Sequence, residues 1–201
     1  MIGIIDYGSG NIQAIRNIYK RLKIQTLIVK GPQDVPLATK LVLPGVGAFD
    51  EAIGKLDRSG LRSALDKAVL QDKVPVMGIC VGMQIMLTTG EEGIEPGLNW
   101  IKGNVKKFNN NLNIKVPHMG WNYVNFSNLS KLGIGLEENS RFYFVHSYCY
   151  KNTKSLYCKG FTDYGENFTS VIENDNFFGV QFHPEKSLNF GIQLFKNFLK
   201  C

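Results

Sequence analysis

The chain has few cysteines and fewer histidines, four of the one and three of the other among 201 residues. Cys80, Cys149, Cys158 and Cys201 form no close pair and no metal-ligand spacing. That excludes a disulfide framework, gives no reason to expect a metal, and suits a reduced, cytoplasmic setting. Long apolar runs are missing too. Met1-Ile2-Gly3-Ile4-Ile5 is too short for a signal-peptide core and has no basic segment before it, and no stretch reaches the length of a membrane span. The net charge of +6 invites a nucleic-acid reading. However, the basic residues are scattered, adjacent pairs such as Lys106-Lys107 are few, and no stacked-aromatic motif accompanies them. Neither nucleic acid nor a membrane is expected as a partner. Internal repeats are absent, and Asn109-Asn110-Asn111 reads as an exposed turn.

With 44% hydrophobic residues the chain can bury one substantial core, so a single domain over 1–201 is expected. Its centre is Gly78-Ile79-Cys80-Val81-Gly82-Met83-Gln84. Val74-Pro75-Val76-Met77 before it has the look of a strand buried on both faces, and Met83, Ile85, Met86 and Leu87 after it suit a buried helix. A strand turning sharply into a helix around Gly-x-Cys-x-Gly is a nucleophile elbow. The strained turn presents one side chain clear of the sheet, and the helix start favours a thiolate.

The flanking segments alternate in the same way. Residues 2–5 form a strand, and Ile12, Ile15, Ile18, Tyr19 and Leu22 repeat at helical spacing. Thr26–Val29 and Leu41–Leu43 are further strands, with helical patterns at Phe49–Leu56 and Leu61–Leu70. This alternation predicts an α/β fold with a doubly wound, mostly parallel open sheet and helices on both faces. Asp6-Tyr7-Gly8-Ser9-Gly10-Asn11 resembles a phosphate loop but lacks a third Gly in place and the Gly-Lys-Ser/Thr ending. Pro44-Gly45-Val46-Gly47 ends a strand and could aim an N–H at a neighbouring site. Beyond Gly90 the texture becomes β-rich, with short strands expected at Val105–Phe108, Tyr123–Phe126, Phe142–Tyr148 and Val171–Ile172, extending one edge of the sheet. Phe190, Ile192, Leu194, Phe195, Phe198 and Leu199 predict a closing amphipathic helix.

A nucleophilic cysteine needs a base, and the base an orienting group. Of the three histidines, His146 falls inside an aromatic strand and His118 lies between Pro117 and Met119. His183 ends an apolar strand, with Glu185 as its alternate neighbour and Pro184 stiffening the link. Imidazole and carboxylate in one rigid segment make a base and its orienter, so His183 is preferred.

Gly78–Gln84 together with Phe182-His183-Pro184-Glu185 resembles the class I (triad-type) glutamine amidotransferases over essentially the full length. Asp6–Asn11, Pro44–Gly47, Pro117-His118-Met119-Gly120-Trp121-Asn122, Tyr143-Phe144-Val145-His146-Ser147-Tyr148 and Pro184–Ser187 narrow the resemblance to the glutaminase subunits of imidazole glycerol phosphate synthase, of histidine biosynthesis. The resemblance implies a flavodoxin-like fold and a triad of Cys80, His183 and Glu185, with Cys80 attacking the side-chain amide of L-glutamine. It implies an oxyanion hole from the Val81 N–H and a peptide at Val46 or Gly47, which can be turned away until a partner is engaged. Gln84, Gly45, Ser147 and Tyr148 would contact the substrate. Asn11, Trp121, Tyr143 and Lys186 would face a (β/α)₈-barrel synthase subunit in a heterodimer, which receives the ammonia. No cofactor is implied. Val81 stands where Leu is more usual, and Cys149 where an aromatic is common. A paralogous glutaminase that supplies ammonia for sugar amidation in surface-polysaccharide synthesis shares all these motifs. A non-catalytic subunit or a cysteine peptidase of related fold fits them less well.

Overall fold

Short apolar runs punctuated by Gly and Pro build the first half of the chain as strand–helix units. In the computed structural model every residue is described except Asn110, Leu112, Glu138 and Asn139, so the middle of the expected Asn109–Asn111 turn lies outside the described residues. The first half runs β1 (Ile2–Ile5), α1 (Ile12–Arg21), β2 (Thr26–Val29), β3 (Lys40–Gly45) and α2 (Phe49–Arg58). Then come α3 (Arg62–Asp66), which passes into a π-helical turn at Lys67–Gln71, β4 (Val76–Cys80) and α4 (Val81–Ile85). The second half is β5 (Thr89–Gly90), β6 (Asn104–Lys107), β7 (His118–Tyr123), β8 (Asn125–Phe126), β9 (Arg141–His146) and β10 (Tyr148–Tyr150). It ends with β11 (Cys158–Asp163), β12 (Asn167–Asn174), β13 (Phe177–Val180) and α5 (Leu188–Lys200).

The main sheet has the order β2-β1-β3-β4-β13-β12-β10-β6-β5, with β11 on β12 and β8 on β11. From β2 to β13 the strands are parallel. The chain steps outward from β1 to β2 and then back past β1 to β3. Right-handed crossovers therefore place α1 on one face and α2, which follows β3, on the other, and open a crevice at the strands' carboxyl ends. The loops after β1, β3 and β4 meet there. On one face α5 packs its buried Phe195 edge-on to Tyr19 of α1, ring centroids 5.2 Å apart, and Phe198 onto Phe178 of β13 at 5.6 Å.

The β-rich half departs from the sequence reading in three ways. It extends the sheet as expected, but β7 and β9 leave it to form a separate antiparallel pair. The expected strand at Phe142–Tyr148 is two strands broken at Ser147, and that at Tyr123–Phe126 is split between the end of β7 and β8. The strand expected to run up to His183 stops at Val180, and His183 instead starts a 3₁₀ turn, Pro184–Lys186.

Candidate active site

Cys80 is both the last residue of β4 and the residue before α4, with φ +54° and ψ −114°. A cysteine in that region costs on the order of 1–3 kcal/mol and persists only where the packing forces it. Here the packing is backbone against backbone. A Cβ on Gly82 would sit on the Leu43 carbonyl oxygen of β3, and one on Gly78 would strike Met86 Sδ and the Gly82 carbonyl. The Gly-x-Cys-x-Gly spacing is thus what lets α4 start directly over the sheet. The Cys80 thiol is 3% exposed and opens onto a cavity of about 300 Å³, at the small end of ligand pockets. Its sulfur receives a long donation from Gln181 Nε2 at 3.8 Å and lies 3.9 Å from the Val145 carbonyl.

His183 and Glu185 reach the same cavity from the 3₁₀ turn. The His183 backbone is pinned at both ends, its N–H donating to Tyr143 O at 2.8 Å and its carbonyl accepting Ser187 Oγ at 2.6 Å. Nδ1 lies 2.8 Å from Glu185 Oε1, with both side chains almost fully buried. Asn11 Nδ2 donates to that same carboxylate oxygen at 2.7 Å. Among the described residues His183 Nε2 has no hydrogen-bond partner. Burial opposes the imidazolium, but the Cys80 sulfur and the Glu185 carboxylate outweigh it and hold the His183 pKa above its ordinary value. Burial likewise opposes the Glu185 charge, and His183 and Asn11 reverse that, keeping the carboxyl below its usual range.

Val46, Gly47, Val81, Gln84, Ser147 and Tyr148, all expected at the site, line the cavity with Cys80 and His183. Gly45 does not line it but pairs with Cys80 across β3 and β4. Gln84 is committed on one side, its Nε2 donating to Tyr148 O at 2.9 Å and to Gln181 Oε1 at 3.0 Å. The Val46 N–H is engaged as well. It donates to Ser9 Oγ at 2.9 Å, and the same hydroxyl donates back to Val46 O at 2.9 Å. Gly47, at φ +95°, makes the turn that follows.

The Asp6–Asn11 loop, read in sequence as a weak phosphate loop, instead braces the site. Tyr7 OH donates to Pro44 O at 2.7 Å, Ser9 holds Val46 and Asn11 holds Glu185. Ser9 and Gln181 are the residues that sequence reasoning missed. His146 is no free base, since both its ring nitrogens are bonded. Trp121 is 47% exposed, with its ring centroid 6.1 Å from that of Tyr143. Lys186 Nζ stands 5.4 Å over the Tyr143 ring. Asn11, expected on that outer surface, points inward to Glu185. Among the described residues no His, Cys, Asp and Glu group could hold a metal ion.

The family model "Glutamine amidotransferase class-I" matches residues 3–201. The chain belongs to the class-I glutamine amidotransferase family. Among its relatives, the "Imidazole glycerol phosphate synthase subunit HisH" of Leptospira interrogans is 48% identical, with 98% of each chain covered. The protein of the same name from Bdellovibrio bacteriovorus is also 48% identical, again over 98% of each. A solved structure described as PurLQS from Thermotoga maritima has the same fold, with a TM-score of 0.76 at 16% identity and 99% and 97% of the two chains covered. In this amidotransferase, then, the elbow cysteine, a buried His–carboxylate pair and a small cavity occupy one end of the sheet.

Proposed function

We propose that 1–201 is one glutaminase domain, hydrolysing L-glutamine to glutamate and ammonia through Cys80, His183 and Glu185. The observation that carries this is the His183 Nδ1–Glu185 Oε1 pair at 2.8 Å with Nε2, unpartnered among the described residues, on the cavity that Cys80 lines. The Cys80 thiol gives its proton to His183 Nε2, and the sulfur attacks the side-chain amide carbon of glutamine. The tetrahedral oxyanion is met by the Val81 N–H, which as the first of α4 has no intrahelical acceptor, and by the Val46–Gly47 peptide. His183 Nε2 delivers a proton to the departing nitrogen as the C–N bond breaks, leaving a thioester and ammonia. The same nitrogen then takes a proton from water, which cleaves the thioester. Glu185 orients the imidazole and stabilises its cation. Gln84, Ser147 and Tyr148 form the substrate's walls, with Gly45 behind them, paired with Cys80 across β3 and β4.

The relatives' name supports a heterodimer with a (β/α)₈-barrel synthase subunit, HisF-like, that uses the ammonia in imidazole glycerol phosphate synthesis, and it favours this acceptor over an amidated sugar. Trp121, Tyr143 and Lys186 form the docking face, with Asn11 behind it. No helix among the described residues is long and apolar enough to cross a membrane, and we place the reaction in the cytoplasm. The test is ammonia release from L-glutamine with and without the cognate barrel subunit. Stimulated release supports the reading, and no release in either condition overturns it.

A further inference from the structure

His118 and His146 face each other across β7 and β9 in direct register, buried to 2% and 7% exposure, and neither is needed as a base. Their bonds fix every proton. The Tyr148 carbonyl can only accept, so His146 Nδ1, 2.9 Å away, carries a hydrogen. A neutral His146 then has a bare Nε2, which accepts from His118 Nδ1 at 3.0 Å. His118 in turn presents a bare Nε2 to Asn122 Nδ2 at 3.2 Å. The second hydrogen of that amide goes to Asp163 O at 3.0 Å, and its oxygen accepts the Tyr123 N–H at 2.8 Å. Both rings use both nitrogens, and an added proton anywhere would set two N–H groups against each other.

The surroundings enforce neutrality. Tyr164 and Phe144 stack on the His118 ring, centroids 3.9 and 4.7 Å away, while Phe108 and Phe168 flank His146 at 5.3 and 5.1 Å. Burial pulls the His118 pKa down to about 4 and, with His118 beside it, that of His146 to about 3.

The far end of the chain is the cavity. His146 bonds across Ser147, the break between β9 and β10, to the carbonyl on its other side. That carbonyl also accepts Gln84 Nε2 at 2.9 Å, and Gln84 leads through Gln181 to Cys80. Ser147 and the start of β10 are held to β6, the Ser147 carbonyl accepting the Phe108 N–H at 3.2 Å, but without the imidazole Gln84 would be the one side chain among the described residues left to hold the Tyr148 carbonyl in the cavity wall.

We propose that His118 and His146 are positioning residues for the substrate: an uncharged, fixed-tautomer chain that holds the Ser147–Tyr148 wall of the cavity against Gln84. The inference rests on reading that cavity as the glutamine site. It also joins the site to β7, whose outward side chains Met119, Trp121 and Tyr123 are exposed while His118 and Asn122 carry the chain on its inner face.

The experiment compares His118→Phe, which keeps the stacking ring and removes the donor, with His118→Asn, whose amide can donate from the Nδ1 position. Ammonia release from L-glutamine by the full chain with its barrel subunit should show KM raised about tenfold in His118→Phe with kcat within about twofold, as expected for loss of one buried hydrogen bond. His118→Asn should restore KM to within about threefold of wild type. A wild-type KM in His118→Phe, or a loss confined to kcat, overturns the proposal. So does an equal KM defect in both variants. Whether or not His118→Phe folds, ¹⁵N-histidine NMR of the wild type decides independently. Two rings must appear as neutral Nδ1–H tautomers from pH 5.5 to 8, and an Nε2–H tautomer or a charged ring at either position overturns the chain. If the wild type releases no ammonia, the glutaminase reading has failed while the NMR result still stands or falls by itself.

Discussion

Cys149 is fully buried, and burial pushes its thiol well above the ordinary range; burial also raises Cys201, to about 11. Cys80 alone of the four is set at a strained turn on a cavity beside an imidazole. A glutamine-analogue electrophile should therefore label Cys80 and spare Cys149, Cys158 and Cys201, read by peptide mass spectrometry. Cys80→Ala should abolish glutamine hydrolysis while leaving the melting temperature near wild type, because the side chain opens on the cavity. The partners of the triad should differ in severity. His183→Ala removes the proton carrier and should lower kcat by about 10²–10⁴-fold. Glu185→Gln should cost less, about tenfold, because an amide oxygen in the place of Oε1 can still accept from both His183 and Asn11. What is lost is the charge that stabilises the imidazolium. A larger effect for Glu185→Gln than for His183→Ala in steady-state ammonia release would contradict these roles.

The end of β3 is where an element, more than a residue, controls the chemistry. Ser9 Oγ grips Val46 at both its N–H and its carbonyl, so the Val46–Gly47 peptide proposed for the oxyanion is fixed by its carbonyl oxygen in the resting arrangement. Removing that hydroxyl shifts the balance by roughly one hydrogen bond, about 0.5–1.5 kcal/mol. Ser9→Ala should thus raise glutamine hydrolysis by the isolated chain about two- to tenfold and shrink the stimulation by the barrel subunit correspondingly. Gly47→Ala, strained at φ +95°, should impair stimulation more than it weakens partner binding, measured by calorimetry beside the activity assay. These contacts were not legible in sequence, because Ser9 and Val46 lie 37 positions apart and Gln181 and Cys80 lie 101 apart. The triad was legible because its residues sit in two short rigid motifs. The same contrast divides the fold. The doubly buried parallel strands read as apolar runs, and β1 spans Ile2–Ile5 as expected. β12 did not read that way: Thr169, Ser170 and Glu173 are buried in it but polar. Ser170 is met by Thr162 of the neighbouring β11, but Thr169 bonds Asn152 O and Glu173 the Ser130–Leu132 turn, 17 and more than 40 positions away. β7 was hidden likewise, since its inward face is His118, Gly120 and Asn122.

Across the whole molecule, the three histidines give stability two opposed dependences on pH. His118 and His146 are held neutral, with pKa values of about 4 and 3 in the fold against about 6.5 in an unfolded chain. Below pH 6.5 the unfolded state binds the protons that the folded state refuses, so stability falls as pH drops from 6.5 toward 4. The size follows from the proton difference: at pH 5 each ring costs on the order of 2 kcal/mol. His183 has the opposite sign. Its raised pKa contributes stability that is fully present below pH 6.5 and is lost as pH rises through the folded value. Glu185, depressed in the fold, contributes above the ordinary carboxylate range and is lost only below about pH 4.3. The interval from 6.5 to 5 therefore belongs to the buried pair. Urea unfolding at pH 7.5, 6.5, 5.5 and 5.0 should show a steepening loss of stability across it. In His118→Phe one of the two rings no longer discriminates between states, and the slope over the same interval should fall by about half. A wild-type slope in that variant would mean that His118 already carries a proton in the fold, which the bonds to His146 and Asn122 leave no room for.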